Sequence, residues 1–203
     1  MSASLILEDI QKQRGEQVFA PVSFTLLPGE GLGVFGHNGS GKTTLLDIIA
    51  GILPASSGRV TASGSVGYVM QHTGFPESLS FKDILMAEAY LSGLRGNKAR
   101  EQVQLIAARL ELLPFWTKRY AKGSSGMRGR LSVAAALLSK PQILLLDEAY
   151  NYLDEQSMEQ THHVLLAEKE RGATIVMVSH NREHFTGLCE RVLTLPSAGI
   201  TAL

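Results

Sequence analysis

The amino-acid sequence predicts an α/β fold with a mainly parallel sheet, an antiparallel β subdomain near its start and a small helical subdomain in its middle. Strand-like apolar runs alternate with helical patterns after residue 142, which is typical of a parallel sheet covered by helices. Before residue 30, two strand-like runs follow each other with no helical pattern between them. From residue 81 to about residue 113, apolar residues recur at helical spacing.

Strands are predicted where short apolar or β-branched runs are bounded by glycine, proline or small polar residues. These runs are residues 5–10, 18–27, 31–35, 58–62, 66–70, 143–146, 173–178 and 192–195. Helices are predicted at residues 44–50, 81–113 with an interruption at 93–97, 127–138, 156–169 and 182–188. The sequence thus predicts one domain over residues 1–203, with its core at 1–71 and 140–203 and its helical subdomain at about 72–139.

A glycine-rich segment, Gly-His-Asn-Gly-Ser-Gly-Lys-Thr at residues 36–43, separates the third predicted strand from the first predicted helix. It fits the pattern G-x-x-x-x-G-K-[S/T], in which backbone N–H groups surround phosphate oxygens, the lysine reaches the terminal phosphates and the hydroxyl meets Mg²⁺. Glycine is needed because a side chain would block the approach of the phosphates. An ordinary glycine-rich turn is the alternative, but the flanking strand and helix favour a phosphate-loop NTPase core.

Two polar pairs, Asp147-Glu148 and Ser179-His180, end later strand-like runs. Because the carboxyl ends of parallel strands meet at one edge of a sheet, we expect both pairs to converge with the glycine-rich segment on one nucleotide. Asp147 is suited to binding Mg²⁺ and Glu148 to polarising the attacking water. His180 is placed to contact the γ-phosphate or to hold Glu148 and the water. The alternatives are an Asp-Glu pair that only caps the next helix and a histidine with a structural role.

Taken in order, these segments resemble the motifs of the nucleotide-binding subunit of an ATP-binding cassette (ABC) transporter, and the resemblance covers essentially the whole chain. By this resemblance, residues 36–43 are the Walker A loop, Gln71 is the glutamine-loop residue and residues 124–128 are the signature. Residues 143–147 are the Walker B strand, and Glu148 is the catalytic carboxylate that follows it. Residues 151–154 are the D-loop, and His180 is the switch histidine. Six motifs in the family's order are far more specific than any one of them.

The resemblance implies an ATP hydrolase that uses ATP and Mg²⁺. The residues that it implies for ATP binding are Gly36, His37, Asn38, Gly39, Ser40, Gly41, Lys42, Thr43, Thr44, Arg14, Gln71, Ser124, Gly126 and Asp154. The catalytic residues that it implies are Lys42, Glu148 and His180, and the Mg²⁺ ligands are Thr43, Gln71 and Asp147.

The partners implied by the resemblance are a second ABC ATPase subunit, identical or different, and an integral membrane subunit. The two ATPase subunits would dimerise head to tail and enclose ATP between one Walker A loop and the partner's signature. The chain would then lie on the cytoplasmic face of the cell membrane, and residues 79–94 resemble exporters more than importers. A soluble ABC-type ATPase that drives complex assembly is the alternative function, and an unrelated phosphate-loop kinase or GTPase is a further one.

The sequence departs from the family pattern at several positions. The signature reads Gly-Ser-Ser-Gly at residues 123–126 instead of Leu-Ser-Gly-Gly, so Ser125 replaces the middle glycine. Ala149 replaces the proline that usually follows the catalytic glutamate, and Tyr150 stands where a small hydroxyl residue is common. No aromatic residue precedes the second strand to stack on adenine; Arg14 is near that place, and a guanidinium can also stack on a purine.

Composition and residue spacing argue against several other classes of function. The formal net charge is zero, so no long-range field favours nucleic acid as a partner. A single cysteine, Cys189, excludes an internal disulfide, and no apolar run approaches the roughly 20 residues of a membrane span. The N-terminal residues lack the pattern of a signal peptide. His180 and His184 share helical spacing and His162-His163 are adjacent, but a third ligand is lacking, so no zinc site is predicted.

Overall fold

The computed structural model of the chain describes residues 4–14, 17–18, 21–71, 74–151, 153–197 and 199–203. The strands in this part are β1 Leu5–Gln11, β2 Gln13–Arg14, β3 Gln17–Val18, β4 Val22–Leu26, β5 Gly31–Phe35, β6 Ser57–Ala62, β7 Val66–Val69, β8 Ile143–Asp147, β9 Thr174–Val178, β10 Arg191–Thr194 and β11 Gly199–Ala202. The α-helices are α1 Lys42–Ile49, α2 Phe81–Leu91, α3 Gly96–Arg109, α4 Ser125–Leu137 and α5 Glu155–Glu170. Short 3-10 helices cover Leu113–Phe115, Tyr120–Lys122 and Arg182–Phe185.

The larger sheet has six strands in the order β11-β10-β5-β9-β8-β7. Neighbours from β10 to β7 are parallel, and only β11 pairs antiparallel. Strands β8 and β9 are buried along their whole length, as expected for strands covered on both faces. The predicted mainly parallel sheet is therefore confirmed, and the carboxyl ends of β5, β9 and β8 lie side by side at one edge.

The smaller sheet is antiparallel, with the order β4-β1-β6. In β4 the side chains alternate between buried and exposed, because one face of this sheet packs on the core and the other faces solvent. Val22, Phe24 and Leu26 supply the buried face of β4. The predicted antiparallel start of the chain is confirmed.

Helices α2, α3 and α4 form the helical subdomain. Helix α2 begins after Ser80, whose Oγ accepts a hydrogen bond from the Asp83 N–H, and buries Phe81 and Leu85 completely. Between α2 and α3, Gly93 has a φ of 86°, a conformation that favours glycine and ends the first helix where the sequence predicts. None of the helices in the described part of the chain combines the length and apolar character of a membrane span.

Two predicted elements differ from the structure. The strand predicted at residues 18–27 is divided into β3 and β4, with residues 19–20 outside the described part, because Pro21 lacks the N–H that a continuous ladder requires. The helix predicted at residues 182–188 is only the 3-10 helix Arg182–Phe185, since Gly187 turns the chain with a φ of 73°. Strand β11 was not predicted because its short exposed run lacks a clear apolar alternation.

Candidate functional site

The glycine-rich segment at residues 36–43, here called the phosphate loop, joins the carboxyl end of β5 to the start of α1. Gly39 and Gly41 have φ values of 82° and 97°, which glycine adopts without strain. A Cβ on Gly36 would lie 2.6 Å from the Leu195 carbonyl oxygen, so only glycine fits there. No described atom lies within 4 Å of a Cβ built on Gly39. The loop is therefore tight at its start and open at its tip.

Lys42 is folded back over this loop. Its Nζ donates hydrogen bonds to the carbonyl oxygens of Gly36 at 2.9 Å and His37 at 3.1 Å, and only 8% of the residue is exposed. The start of α1 adds the positive end of the helix dipole. Ser40 Oγ is buried, and the described residues offer it no hydrogen-bond partner. A buried hydroxyl, an ammonium group and a helix N-terminus together fit an anionic phosphate chain.

Thr43 and Asp147 join the phosphate loop to the end of β8. Thr43 Oγ1 donates a hydrogen bond to Asp147 Oδ2 at 2.8 Å, and Asp147 is 2% exposed. Burial raises the pKa of Asp147, the hydrogen bond from Thr43 lowers it, and the charges of Glu148 and Asp47 raise it again. Such a buried carboxylate beside a hydroxyl is a hard oxygen pair, the donor type that Mg²⁺ prefers. The residues present therefore fit this cation.

Asp147→Asn is expected to raise the melting temperature at pH 7 without nucleotide. Asparagine removes a buried charge and still offers an oxygen to Thr43 Oγ1. Because folding raises the pKa of Asp147, its contribution to stability is present below the unfolded value of 3.8 and is lost as the pH rises through the folded value. Thermal unfolding from pH 7 to pH 5 measures the effect, and a rise of about 2–4 °C corresponds to roughly 1 kcal/mol.

The matched control is Asp9→Asn, because Asp9 is exposed and also accepts a hydroxyl hydrogen bond, from Ser23 Oγ at 2.9 Å. The difference between wild type and Asp147→Asn should shrink as the pH falls toward the folded pKa. A lower melting temperature of Asp147→Asn at pH 7 contradicts the argument that this charge is a destabilising one.

Glu148 and His180 meet at the ends of β8 and β9. Glu148 Oε2 and His180 Nδ1 lie 3.0 Å apart; the Glu148 side chain is 9% exposed and that of His180 62%. The Glu148 backbone has a φ of 52°, rare for this residue type, while its N–H donates to the Val178 carbonyl oxygen. This strained turn directs the carboxylate away from the strand ladder and toward His180, so an acid–base pair stands beside the phosphate loop.

Gln71 is exposed and follows β7. It lines a cleft of about 650 Å³ that also contains Asp147, Glu148 and Ser125. The cleft thus runs from the ends of β7 and β8 to the first turn of α4. It brings the predicted Mg²⁺ ligands Gln71 and Asp147 to one cavity.

The predicted signature residues lie at the start of α4. Ser124 is the N-cap of this helix: its Oγ accepts a hydrogen bond from the Met127 N–H at 3.2 Å. Gly126 lies in the first turn of α4, and Ser124 and Ser125 are exposed. Their amides and hydroxyls form a second helix N-terminus, which is turned toward solvent.

Asp154 and Arg14 are also predicted to contact ATP. Asp154 caps α5, with its Oδ1 accepting a hydrogen bond from the Ser157 N–H at 2.8 Å, and these hydrogen bonds lower the pKa of Asp154. Arg14 belongs to β2, and its side chain lies outside the described residues. Its predicted stacking on adenine stays a prediction.

A group of buried and half-buried polar residues near Glu148 was not predicted. Tyr150 Oη and His162 Nδ1 lie 2.8 Å apart, and Ser179 Oγ and His184 Nδ1 also lie 2.8 Å apart. The two pairs lie on different elements, so no spacing rule indicated that they meet. Tyr150 departs from the family pattern and the histidines are apparent from their spacing, but the sequence does not predict that these residues contact one another.

The chain matches a family model described as ABC transporter over residues 19–151. It is 33% identical over 202 residues to the uncharacterised ABC transporter ATP-binding protein YybJ of Bacillus subtilis (strain 168), covering 94% of this chain and 91% of that protein. It is 29% identical to the teichoic acids export ATP-binding protein TagH of Lactococcus lactis subsp. lactis (strain IL1403), covering 95% of this chain but 41% of TagH.

Solved structures with the same fold include ATP-binding subunits of transporters. One, described as the structure of an ATP binding subunit of an ABC transporter, has a TM-score of 0.90 at 20% identity and covers 100% of this chain and 90% of that one. Another is the dimeric cassette MJ0796 in a post-hydrolysis state with ADP and Pi, with a TM-score of 0.88 at 22% identity and 98% coverage of each chain. These likenesses support the phosphate-loop NTPase fold class.

Proposed function

The chain belongs to the ABC transporter family, and from this premise we propose that it binds and hydrolyses ATP to power a transporter whose membrane-spanning part is a separate protein. One observation carries the proposal. The phosphate loop, the Thr43–Asp147 pair and the Glu148–His180 pair meet at one edge of the parallel sheet. Phosphate binding, cation binding and water activation are thereby available within one site.

ATP is the substrate, and its phosphates would bind along the phosphate loop. The backbone N–H groups of the loop and of the first turn of α1 would donate to the phosphate oxygens. The Lys42 ammonium would exchange its carbonyl partners for the terminal phosphates, and the buried Ser40 hydroxyl would gain an acceptor. Positioning the phosphates in this way accounts for much of the catalysis expected for phosphoryl transfer.

Mg²⁺ would be held by Thr43, Asp147 and Gln71, with the phosphates completing its ligands. When bound, this ion supplies positive charge that offsets the charge developing on the phosphate oxygens. The role of the protein is to present Asp147 already buried and oriented by Thr43 Oγ1.

Glu148 would orient the attacking water and accept its proton, since its carboxylate is nearly buried and not neutralised by a lysine or arginine among the described residues. His180 would hold Glu148 through the 3.0 Å contact and face the γ-phosphate with the rest of its exposed ring. The strained turn at Glu148 keeps the carboxylate aimed at this position.

A second subunit would complete the site. We propose that Ser124 and Gly126 of one chain donate to the ATP held by the partner's phosphate loop, with Asp154 near the same contact. The exposed N-terminus of α4 supports this role, since its hydroxyls and amides face solvent. The dimer described for MJ0796 supports the assembly of two cassettes. Ser125 adds a hydroxymethyl group to this contact, which would weaken it.

Steady-state ATP hydrolysis measured across protein concentration tests the ATPase half of the proposal. A site completed by a partner predicts a specific activity that rises with concentration until the dimer saturates. Constant specific activity contradicts a composite site. Clear Mg-ATP binding without turnover at any concentration contradicts a homodimeric enzyme and directs the search to a different partner cassette.

The membrane partner would dock beside the edge strand β7. A groove of about 280 Å³ lies there, lined by Tyr68, Met70 and Glu88, and Met70 is 42% exposed. This groove adjoins Gln71, so ATP binding and release would be transmitted to the partner through the helical subdomain. Export is the proposed direction, supported by the similarity to TagH, which is described as serving teichoic acid export.

Recovery of tagged chain from detergent-solubilised membranes separates this proposal from the soluble alternative. An integral membrane protein that copurifies supports a transporter located at the cytoplasmic face of the cell membrane. Recovery of the chain only in soluble complexes, while it hydrolyses ATP, contradicts the membrane location and favours an ABC-type ATPase of another kind.

A further inference from the structure

Tyr150 occupies a closed position behind the catalytic carboxylate. It lies two residues after Glu148 and is 4% exposed. Its hydroxyl oxygen is 2.8 Å from Nδ1 of His162 on α5, and its ring packs edge-on against His184 with the centroids 5.1 Å apart. Tyr150 therefore connects the segment that carries Glu148 with helix α5 and with the segment after β9.

His184 contacts Ser179, the residue before His180, and its ring also lies edge-on to the ring of His180, with the centroids 6.3 Å apart. The segment of residues 179–184 is here called the switch turn. His184 Nδ1 lies 2.8 Å from Ser179 Oγ, and the same oxygen accepts a hydrogen bond from the Asn181 N–H at 3.1 Å. Ser179 is completely buried, whereas the His180 side chain is 62% exposed. The position of His180 thus depends on its neighbours, because its own ring is held mainly by Glu148.

The environment of Tyr150, His162 and His184 favours the uncharged form of each side chain. Burial raises the pKa of the Tyr150 phenol and lowers the pKa of His162 and of His184. The neighbouring His180 lowers the pKa of His184 further, while Glu148 and Glu183 raise it. Neutral groups that hydrogen-bond one another can be buried at little cost, and a fully partnered polar network fixes one arrangement of the segments that it joins.

The exposed side of the switch turn contacts β5 through Arg182. The Arg182 guanidinium lies 5.0 Å from the centroid of the Phe35 ring at the end of β5, and Arg182 is exposed. An exposed cation–π contact is a weak constraint because solvent screens it. The contacts of the half-buried His184 with the buried Ser179 and Tyr150 are therefore the stronger constraint on this turn.

We propose that Tyr150 and His184 are positioning residues that hold the switch turn so that His180 Nδ1 meets Glu148 Oε2. Neither residue needs to touch ATP. They act through His180, and this inference rests on the proposed ATP hydrolysis for its kinetic consequence only. The arrangement also gives a reason for a large aromatic residue at position 150: its ring spans the distance between α5 and His184.

A double-mutant cycle with His180 tests the proposal. His184→Ala is expected to lower kcat about tenfold and to leave the KM for Mg-ATP within twofold of wild type. His184→Asn retains an amide group within reach of Ser179 Oγ and should recover most of kcat. Tyr150→Phe, which keeps the ring and removes only the hydroxyl, should lower kcat about threefold. The matched control is His163→Ala, the exposed neighbour of His162, with wild-type kinetics expected.

The cycle distinguishes positioning from a general loss of structure. If His184 acts through His180, then His184→Ala should cause no further loss of kcat when His180 is already alanine. An equal tenfold loss in both backgrounds overturns the proposal, as does a change confined to KM. Should His184→Ala fail to fold, the same cycle is run with Tyr150→Phe.

Amide hydrogen exchange of residues 179–185 gives a readout that does not depend on turnover. Exchange should be at least fivefold faster in His184→Ala than in wild type and in His163→Ala, with His184→Asn close to wild type. Unchanged exchange in His184→Ala overturns the positioning role. A wild-type protein that binds but does not hydrolyse ATP contradicts the proposed function, while the exchange measurement still decides the positioning role.

Discussion

Glu148→Gln is expected to lower the ATP turnover number by at least about 100-fold while ATP affinity stays within about threefold. Removal of a general base from a positioned site typically costs a factor of about 10²–10⁴ in rate. The glutamine amide has nearly the same size and retains an oxygen that can hydrogen-bond to His180. It cannot accept a proton from water at neutral pH, so the chemical step is lost while the phosphate-binding groups remain.

The geometry allows Glu148→Gln to change the chemical step without changing the groups that bind phosphate. The described hydrogen bonds of Glu148 lie outside the phosphate loop: its side chain meets His180 Nδ1, and its backbone N–H is bound to the Val178 carbonyl. Binding should be measured by equilibrium titration with Mg-ATP, and turnover by phosphate release under saturating ATP. The control is Glu159→Gln, which makes the same chemical change at an exposed position of α5.

Equal losses of binding and turnover in Glu148→Gln contradict the assigned role, because they indicate that Glu148 shapes the binding site rather than the chemical step. Turnover close to wild type contradicts it as well and moves the role of base to another group. The expected result, binding with little turnover, also traps the ATP-bound state in which the dimer contact of Ser124 can be examined.

The parts of the site that the sequence predicts are those in which chemistry is carried by contiguous residues. The phosphate loop is one segment, and Asp147-Glu148 and His180 each end a buried strand whose apolar run is visible in the sequence. Their convergence follows from the rule that parallel strands present their carboxyl ends at one edge. The structure brings these segments together as that rule requires.

The parts that the sequence does not predict depend on contacts between distant residues. Tyr150, His162 and His184 lie on three separate elements, and their bonds follow from packing, which local periodicity does not encode. The sequence pattern predicts a helix at residues 182–188, and a helical turn does begin at Arg182. This turn ends at Phe185, because Gly187 has a positive φ. Sequence patterns also cannot separate two uses of one residue, since Ser124 and Asp154 are helix caps here as well as predicted ATP contacts.

Lys42→Ala is the second substitution with a large expected effect: the affinity for Mg-ATP should fall by about 100-fold, which equals about 2.7 kcal/mol. The Lys42 ammonium is nearly buried and held above the phosphate loop by the carbonyl oxygens of Gly36 and His37. It is therefore already placed for the terminal phosphates, and a charge-assisted contact in such a site is far stronger than in water.

Lys42→Arg should not restore the affinity, because the planar guanidinium is longer and cannot match the compact ammonium held by the loop carbonyls. The control is Lys169→Ala: Lys169 Nζ also donates to a backbone carbonyl, that of Gly187 at 3.0 Å, but at the opposite end of β10 from the phosphate loop.

Binding is measured by titration and by the rise in melting temperature with Mg-ATP, which follows the ratio of ligand concentration to Kd. Lys42→Ala that folds and binds ATP within threefold of wild type contradicts phosphate recognition by this loop. Loss of binding in Lys42→Ala but not in Lys169→Ala shows that the ammonium acts on the nucleotide, because both variants lose a lysine–carbonyl hydrogen bond and only one loses the charge at the loop.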